Sequence, residues 1–409
     1  MEATRLFKSL NRDQRNTFLA CFLGWALDAF DFFLLTFVIA PMAHDFGTSI
    51  ARLSYAITLT LAMRPVGAFI FGLLGDRFGR RIPLMIDIVF YSLMELLTAF
   101  APNYAALLVL RALYGIGMGG EWGLGASLAM ETLPTAARGL FSGILQQGYM
   151  FGYLFAALVY GMVFPFFGWR GLFVVGALPA FLVIFIRARV PESPVWLRRR
   201  STTHFWTDLA LVIKQHWLLF FYVIVLMTAF NAMSHGTQDQ YQTFLGEQRR
   251  LSVGQRSSIG IIYAVGAICG GVIFGHLSQK FGRRRAIIVA AGCGMLLIPL
   301  WVFSPGLTLL VIGGFAMQFM VQGAWGIVPV HLNELSPTQV RGTFPGLAYQ
   351  LGNLLAANTA VIEAKLAVHF RDATGHPDYA KALAVFTAVI FLALIVIAAL
   401  GHEHRGKEF

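Results

Sequence analysis

Displaced by 203 residues, the chain falls on itself. Phe78-Gly79-Arg80-Arg81 lands on Phe281-Gly282-Arg283-Arg284, and Trp122-Gly123 lands on Trp325-Gly326. Glu131, Pro134 and Arg138-Gly139 land on Glu334, Pro337 and Arg341-Gly342. Phe141, Gly143 and Gln147 land on Phe344, Gly346 and Gln350 in the same gapless register. A chain that repeats once at this length folds as two copies of one unit. Its central chemistry then lies between two pseudo-symmetric halves.

The unit is a set of apolar spans. Of 409 residues 57% are hydrophobic and only 12% charged, with mean hydropathy +0.68. A soluble domain carries about 25% charged residues. About 20 apolar residues cross a bilayer as a helix. Twelve such spans can be placed, near 16–40, 52–74, 82–101, 104–127, 139–163, 169–188, 216–243, 256–277, 285–303, 306–331, 342–366 and 380–400. The expectation is an all-α polytopic membrane protein with six-helix halves at 1–189 and 216–409 and a linker at 190–215. Parallel six-span repeats are the architecture of secondary transporters, with the site between the halves near the midplane.

Lys and Arg gather at alternate connections: Arg5, Lys8, Arg12 and Arg15; Arg77, Arg80 and Arg81; Arg138; a run from Arg187 to Lys214; Lys280 and Arg283 to Arg285; then Arg341, Arg405 and Lys407. The positive-inside rule makes that side cytoplasmic, with both termini inside a multi-pass cell-membrane protein. These clusters explain the net charge of +11 without nucleic acid as a partner. The polar first 15 residues, with no small-residue cleavage site after a short apolar core, argue against a removable signal peptide. Cys21, Cys269 and Cys293 sit in apolar runs and read as core residues, with no disulfide framework.

The apolar run at 217–230 is too short to cross alone, so the crossing continues into 231–243. There Asn231, Ser234, His235, Gln238, Asp239 and Gln242 fall at i, i+3, i+4, i+7, i+8 and i+11. That spacing stacks them on one helical face. Such a stripe avoids lipid and points to a water-filled cavity or a ligand. The other reading ends the helix near Ser234 and leaves an external loop. The repeat register sets Asn231 against Asp28 and Ser234 against Asp31. Gln147 and Gln350 match on the fifth and eleventh spans, with Asn353 one turn beyond.

Gly75-Asp76-Arg77-Phe78-Gly79-Arg80-Arg81 resembles the loop signature of the major facilitator superfamily; its second copy has Gln279 in place of Asp76. Glu131-x-x-Pro134-x-x-x-Arg138-Gly139 and Pro191-Glu192-Ser193-Pro194-Val195-Trp196-Leu197 resemble signatures shared by sugar and organic-acid porters. Residues 231–243 are similar to the helix 7 pattern of the lactate and pyruvate–proton symporters in the sialate–proton symporter group, fungal lactate permeases included. Asn231, Ser234, His235, Thr237, Gln238, Asp239 and Thr243 all match it. The resemblance covers nearly the whole chain. It implies proton-coupled uptake of short monocarboxylates and leaves open lactate, pyruvate, acetate or a larger acid. The driving force would be the proton gradient, with no cofactor. The expected partners are a small carboxylate, protons and the bilayer, with the chain acting as a monomer.

A carboxylate calls for donors and a cation, and arginine pairs with it bidentately. Asn231, Ser234, His235, Gln238, Gln147, Gln350, Asn353 and Arg64 are the candidates for binding. Arg64 has an alternative role as a structural partner of Asp28 or Asp31. Proton coupling needs groups that change charge as partners change. Asp28, Asp31, His235, Asp239, Glu121 and Arg111 are the candidates, while Asp87 and Glu95 read as internally paired or in contact with water. Asp76, Arg80, Glu131 and Arg138, with Glu334 and Arg341, are expected to form a cytoplasmic gate. Other readings are a carrier of sialate or an aromatic acid, an uncoupled facilitator, a membrane enzyme or a nutrient sensor. No HExxH, GxSxG or Gly-rich phosphate loop supports the enzyme, and the sensor would need a large soluble extension.

Overall fold

In a bilayer every backbone N–H and C=O must find its partner within the protein, which a helix achieves along its own length. The computed structural model describes residues 2–199, 205–371 and 375–409. Residues 200–204 of the expected linker, with Arg200 of the basic run, lie outside them. No strand occurs among the described residues. In chain order the main helices are α1 Arg12–Asp45, α2 Ile50–Phe78, α3 Arg81–Ala99, α4 Tyr104–Thr132, α5 Arg138–Gln146 and α6 Gly148–Val175. They continue with α7 Leu182–Arg189, α8 Phe205–Gln238, α9 Val253–Phe281, α10 Arg283–Val302 and α11 Leu307–Trp325. The last are α12 Val328–Leu335, α13 Phe344–Ala356, α14 Thr359–His369 and α15 Tyr379–Leu400.

Ten helical stretches among the described residues have the length and hydropathy to cross a bilayer, against twelve expected. The difference has local causes. Helix α4 is 29 residues long, but Arg111, Glu121 and many glycines dilute its hydropathy. The expected fifth span and the start of the sixth run together from Arg138 to Val175, broken at Gly168 (φ 60°), and the rest of the sixth lies in a short turn of helix at Leu178–Phe181 and in α7. Helix α8 starts at Phe205 where the sequence predicts 216, because Leu209 and Val212 are buried and extend the helix beyond a bend at His216. It does not end at Ser234. Asp239 N donates to His235 O (2.9 Å), whereas Gln242 follows a break, in the short turn Tyr241–Thr243.

The repeat is visible in the packing. Helix α2 lies on α4 as α9 lies on α11, and α1 lies on α6 as α8 lies on α13. The halves meet where α5 packs on α9 and α13 packs on α2 and α4. Glycine permits these approaches, as small residues do between membrane helices generally. A Cβ on Gly143 would stand 2.3 Å from Gly271 O, and one on Gly123 2.9 Å from Gly346 Cα. Both termini lie at the arginine-rich end: the Phe7 ring stacks on Phe141 (6.2 Å), and the Phe409 ring lies over Arg138.

Within the first half, a Cβ on Gly119 would stand 2.0 Å from Arg64 O. Gly119→Ala must push α2 off α4, and overpacking of this kind costs about 1–3 kcal/mol. The variant is expected to melt several degrees lower than wild type in detergent. Gly161→Ala, with nothing within 4 Å, should match wild type. Tryptophan-fluorescence melts of both variants check this.

Candidate functional site

The first half buries a set of acids. Asp28, Asp31, Asp87, Glu95 and Glu121 are all fully inaccessible, as is Arg111. Arg111 Nη2 donates to Glu95 Oε2 (2.7 Å) and to Thr98 Oγ1 (2.6 Å), and its guanidinium lies on the Tyr114 ring (4.4 Å). Asp31 adjoins this pair: a Cβ on Gly176 would meet both Glu95 Cγ and Asp31 Oδ1. Glu121 sits in the space left by Gly24 of α1, where a Cβ would stand 2.3 Å from Oε1. Asp28, Asp31, Asp87 and Glu121 have no hydrogen-bond partner among the described residues on either carboxyl oxygen. The five acids face two buried cations, Arg64 and Arg111. Unpaired carboxylates are costly away from water, so this group can hold protons as well as charge.

The stripe on α8 faces the second half. His235 Nδ1 is 3.1 Å from Asp239 Oδ2, and Nε2 is 3.2 Å from Asn353 Oδ1 on α13. The ring can donate to both acceptors only when it carries both protons. The His235 and Asp239 side chains keep 35% and 36% of their surface accessible, so this pair exchanges with solvent while the first-half acids do not. Gln238 Nε2 donates to Ser234 Oγ (2.9 Å), and Gln318 Nε2 on α11 donates to Thr237 Oγ1 (3.0 Å). Asn231 Nδ2 turns back to Met227 O (2.7 Å).

Arg64 joins the two groups. It is buried, with Nε and Nη2 unanswered, and it faces the Tyr349 hydroxyl of the other half. Asp28 and Glu121 on one side and His235 on the other feel its charge. It forms no ion pair among the described residues, so the alternative of a tight structural pair with Asp28 or Asp31 is not what the structure contains. Gln147 and Gln350 are buried with their amide groups unpartnered, and Gln147 abuts Gly271 of α9. An aromatic layer adjoins them. Trp122 and Trp325, a repeat pair, flank Tyr349 with centroids 4.8 and 5.6 Å away.

The predicted gate residues are gathered at the arginine-rich end. Arg80 bridges Asp76 (3.0 Å) and Glu131 (3.1 Å). Asp76 also crosses between halves: Oδ1 accepts from Gly342 N (2.7 Å), and Oδ2 from Thr343 N (3.0 Å) and Thr343 Oγ1 (2.7 Å). Arg341 reaches Glu131 across the same seam in a longer pair (3.5 Å). Burial pulls Arg341 down to about 10 against the pull of Glu131, so it stays charged at neutral pH. In the second copy Arg283 holds Glu334 (2.9 Å) and Gln279 Oε1 (2.7 Å), and Gln279 crosses the seam by one bond, to Thr135 O (3.1 Å). Arg138 donates to Lys407 O (2.7 Å). This end is closed.

The structure thus groups Asn231, Ser234, His235, Gln238, Asp239 and Asn353 in one region, and Asp28, Asp31, Glu121 and Arg111 in a second. Glu95 is paired internally, as expected, and Asp87 is not. Sequence reasoning missed Tyr349 and Gln318, although Tyr349 adjoins the repeated Gln350. It gave no gate role to Arg283, the repeat copy of Arg80, and no capping role to two carboxylates, Glu192 and Glu403. Glu192 accepts from Arg80 N (2.8 Å) and Arg81 N (3.1 Å); Glu403 does the same for Arg283 N and Arg284 N (3.1 Å each). Each sits at a helix N-terminus, where negative charge is favoured. Burial pushes the Glu192 carboxyl up, opposed by those N–H groups.

The sequence model of the Major Facilitator Superfamily matches residues 21–360. The chain is 31% identical to a carboxylic acid transporter protein homolog of Saccharomyces cerevisiae, over 96% of this chain and 69% of that one. It is 27% identical to the sialic acid transporter NanX of Escherichia coli, over 100% and 98% of the two chains. Among solved structures, the proton:xylose symporter XylE superposes with a TM-score of 0.75 over 97% of each chain at 20% identity, a likeness of fold.

The two seams differ in strength. Asp76 makes three charge-assisted bonds to the other half and Gln279 makes one neutral bond. Hydrogen bonds to charged groups contribute about 1.5–3 kcal/mol. Asp76→Asn is therefore expected to shift this end toward opening by roughly tenfold in population, and Gln279→Ala to change it little. Spin labels at Phe78 and Gln339, on opposite sides of the seam, report the distance distribution. An unchanged distribution in Asp76→Asn would show that the loop is not a latch.

Proposed function

The chain belongs to the Major Facilitator Superfamily, and from that premise we propose that it is a proton-coupled symporter of short monocarboxylates such as lactate or pyruvate. It is a multi-pass membrane transporter. In our reading it has twelve crossings, with both termini and the arginine-rich end cytoplasmic. The closed seam at that end then makes this the outward-facing form, with the halves alternating around the central site.

The observation that carries the reading is Arg64, a buried guanidinium with unmet donors between an acid cluster and a histidine. A carboxylate arriving from the accessible His235–Asp239 side meets Arg64 as its cation. Gln147, Gln350 and Asn231 line its approach with amide donors. Once Arg64 is neutralised by substrate, it no longer compensates Asp28 and Glu121. Those acids then favour protons, and loading of acid and proton becomes mutually supporting, as reciprocal coupling requires. The carboxylic acid and sialic acid named for two relatives agree with a carboxylate at Arg64. The second of these also favours the other reading, a larger acid such as sialate.

The test is uptake of labelled lactate by purified protein in liposomes. Accumulation should require an inward proton gradient and collapse with a protonophore. Equal uptake without the gradient would make the protein a facilitator. Competition by sialate or an aromatic acid, but not by pyruvate, would transfer the reading to the larger substrate.

Two sets of variants follow. Arg64→Ala should weaken lactate binding more than tenfold by calorimetry, since charged hydrogen bonds of about 1.5–3 kcal/mol are lost. Asn231→Ala and Gln350→Ala should weaken it several-fold. His235→Ala and Asp239→Asn should abolish accumulation driven by the pH gradient, and wild-type accumulation in both would remove the pair from the mechanism.

A further inference from the structure

Among the described residues of the second half, Glu363 is a fully inaccessible acid with no part in the account above. Glu363 lies on α14, after the helix break at 357–358. It is fully inaccessible, and neither carboxyl oxygen has a hydrogen-bond partner among the described residues. The side chain is directed at α8. A Cβ on Gly236 would stand 3.4 Å from Glu363 Oε1 and 2.6 Å from the Phe386 ring of α15. Gly236 is the residue between His235 and Thr237. Its missing side chain therefore leaves a cleft against the helix turn that carries the His235–Asp239 pair.

The surroundings narrow what this carboxyl group can be doing. From α8 it feels the charge of Asp239, three residues after Gly236 and already bonded to His235. From α15 the neighbours of Gly236 are Phe386 and Thr387, both uncharged; Thr387 Oγ1 donates to Gly236 O (3.4 Å). On its own helix Lys365 lines an open cavity of about 480 Å³ with Gln240 and does not pair with Glu363. A structural acid in a membrane core is held by a cation or by donors, as Glu95 is held by Arg111. Glu363 has neither, and its near charge is another acid. Two carboxyl groups and one imidazole beside one helix turn, of which only His235 and Asp239 keep solvent access, form a set that can hold one proton or two.

We propose that Glu363 is a second proton-binding residue of this half, exchanging its proton with the His235–Asp239 pair during transport. The pair takes up a proton from solvent at its accessible face. The proton then passes to the Glu363 carboxylate: its O–H bond forms as the bond to the His235 nitrogen or Asp239 oxygen breaks. The charge of the three groups together is unchanged by that step. The pair is free to load again, and the stored proton lies in a site that solvent does not reach. This inference rests on the proton-coupled reading of the chain.

The decisive measurement uses infrared difference spectroscopy on the full chain reconstituted in lipid, over a pH series and without substrate. Wild type minus Glu363→Gln should show one protonated carboxyl band, and Asp239→Asn should shift the pH at which that band disappears. In liposomes, Glu363→Gln should lower accumulation of labelled lactate under a pH gradient at least tenfold, with Glu363→Asp restoring part of it. A circular-dichroism melt close to wild type separates this from misfolding, and the isosteric amide is chosen for that reason. The proposal fails if no carboxyl band is lost in Glu363→Gln, or if Asp239→Asn leaves the band's pH dependence unchanged. It also fails if Glu363→Gln accumulates lactate as wild type does. If wild type itself accumulates no lactate, the symporter reading fails, and the infrared arm still decides whether Glu363 trades its proton with the pair.

Discussion

A guanidinium in the middle of a bilayer with donors unanswered is an unfavourable object, and the centre of this protein is built around one. Arg64 is held by its backbone as much as by its head group. Its carbonyl stands so close to Gly119 that no side chain fits there. The glycines of α4 therefore fix where the charge points. It lies between five buried acids on one side and an accessible histidine–aspartate pair on the other. Neither side neutralises it by contact. A protein that only needed to fold would have closed that gap with an ion pair, as it did for Arg111 and Glu95.

The same economy of partners distinguishes the gate from the centre. At the arginine-rich end nearly every charge is met. Arg80 is shared between Asp76 and Glu131, Arg283 is held by Glu334, and Glu192 and Glu403 cap the helices that follow. Ser127 Oγ donates to Arg341 O (2.6 Å) across the seam, and Ser142 Oγ donates to Gly326 O (2.8 Å). This network is stable as drawn, and part of it must break for the halves to part. The centre leaves donors and carboxyl oxygens without partners among the described residues, and in the proposed function a carboxylate and protons meet them. In the proposed function, a closed seam at one end and unanswered donors in the centre favour loading from the opposite side.

How much of this was legible in the sequence depended on whether a residue's role was local or relational. The gapless 203-residue register exposed the two halves and the charged network at the arginine-rich end, because Phe-Gly-Arg-Arg and Glu-x-x-Pro-x-x-x-Arg-Gly are contiguous motifs. The helical spacing of 231–239 exposed the stripe for the same reason. Length and hydropathy alone count ten helical stretches among the described residues where the sequence reading has twelve, because polar residues dilute α4 and one glycine breaks a long helix at Gly168. Tyr349, Gln318 and Glu363 were invisible because nothing in their neighbours' spacing marks them. They become significant only when α11, α13 and α14 are set against α8. The terminal segment was likewise unreadable: Phe409 stacks between Arg138 and Arg341, at 3.8 and 3.9 Å, which no pattern foretells.

The repeat also divides what is scaffold from what is chemistry. Apart from Gln147 and Gln350 in the centre, the residues above that keep their identity in both copies build structure: Gly79 and Gly282 with positive φ, Arg80 and Arg283, Glu131 and Glu334, Trp122 and Trp325. The charged residues of the centre do not keep it. At the same register Asp28, Arg64, Asp87, Glu95, Arg111 and Glu121 become Asn231, Ala267, Ala290, Ile298, Gly314 and Ala324. In the reverse direction His235, Asp239 and Glu363 correspond to Phe32, Thr36 and Tyr160. Duplication alone would place equal charges across the axis, where they would repel. The two halves have instead become unlike, one with a sealed acid cluster and one with an accessible imidazole. Arg64 is the cation that both can feel. In the proposed symporter, this asymmetric charge pattern on a symmetric scaffold gives the two halves different surroundings for proton exchange within one rocking cycle.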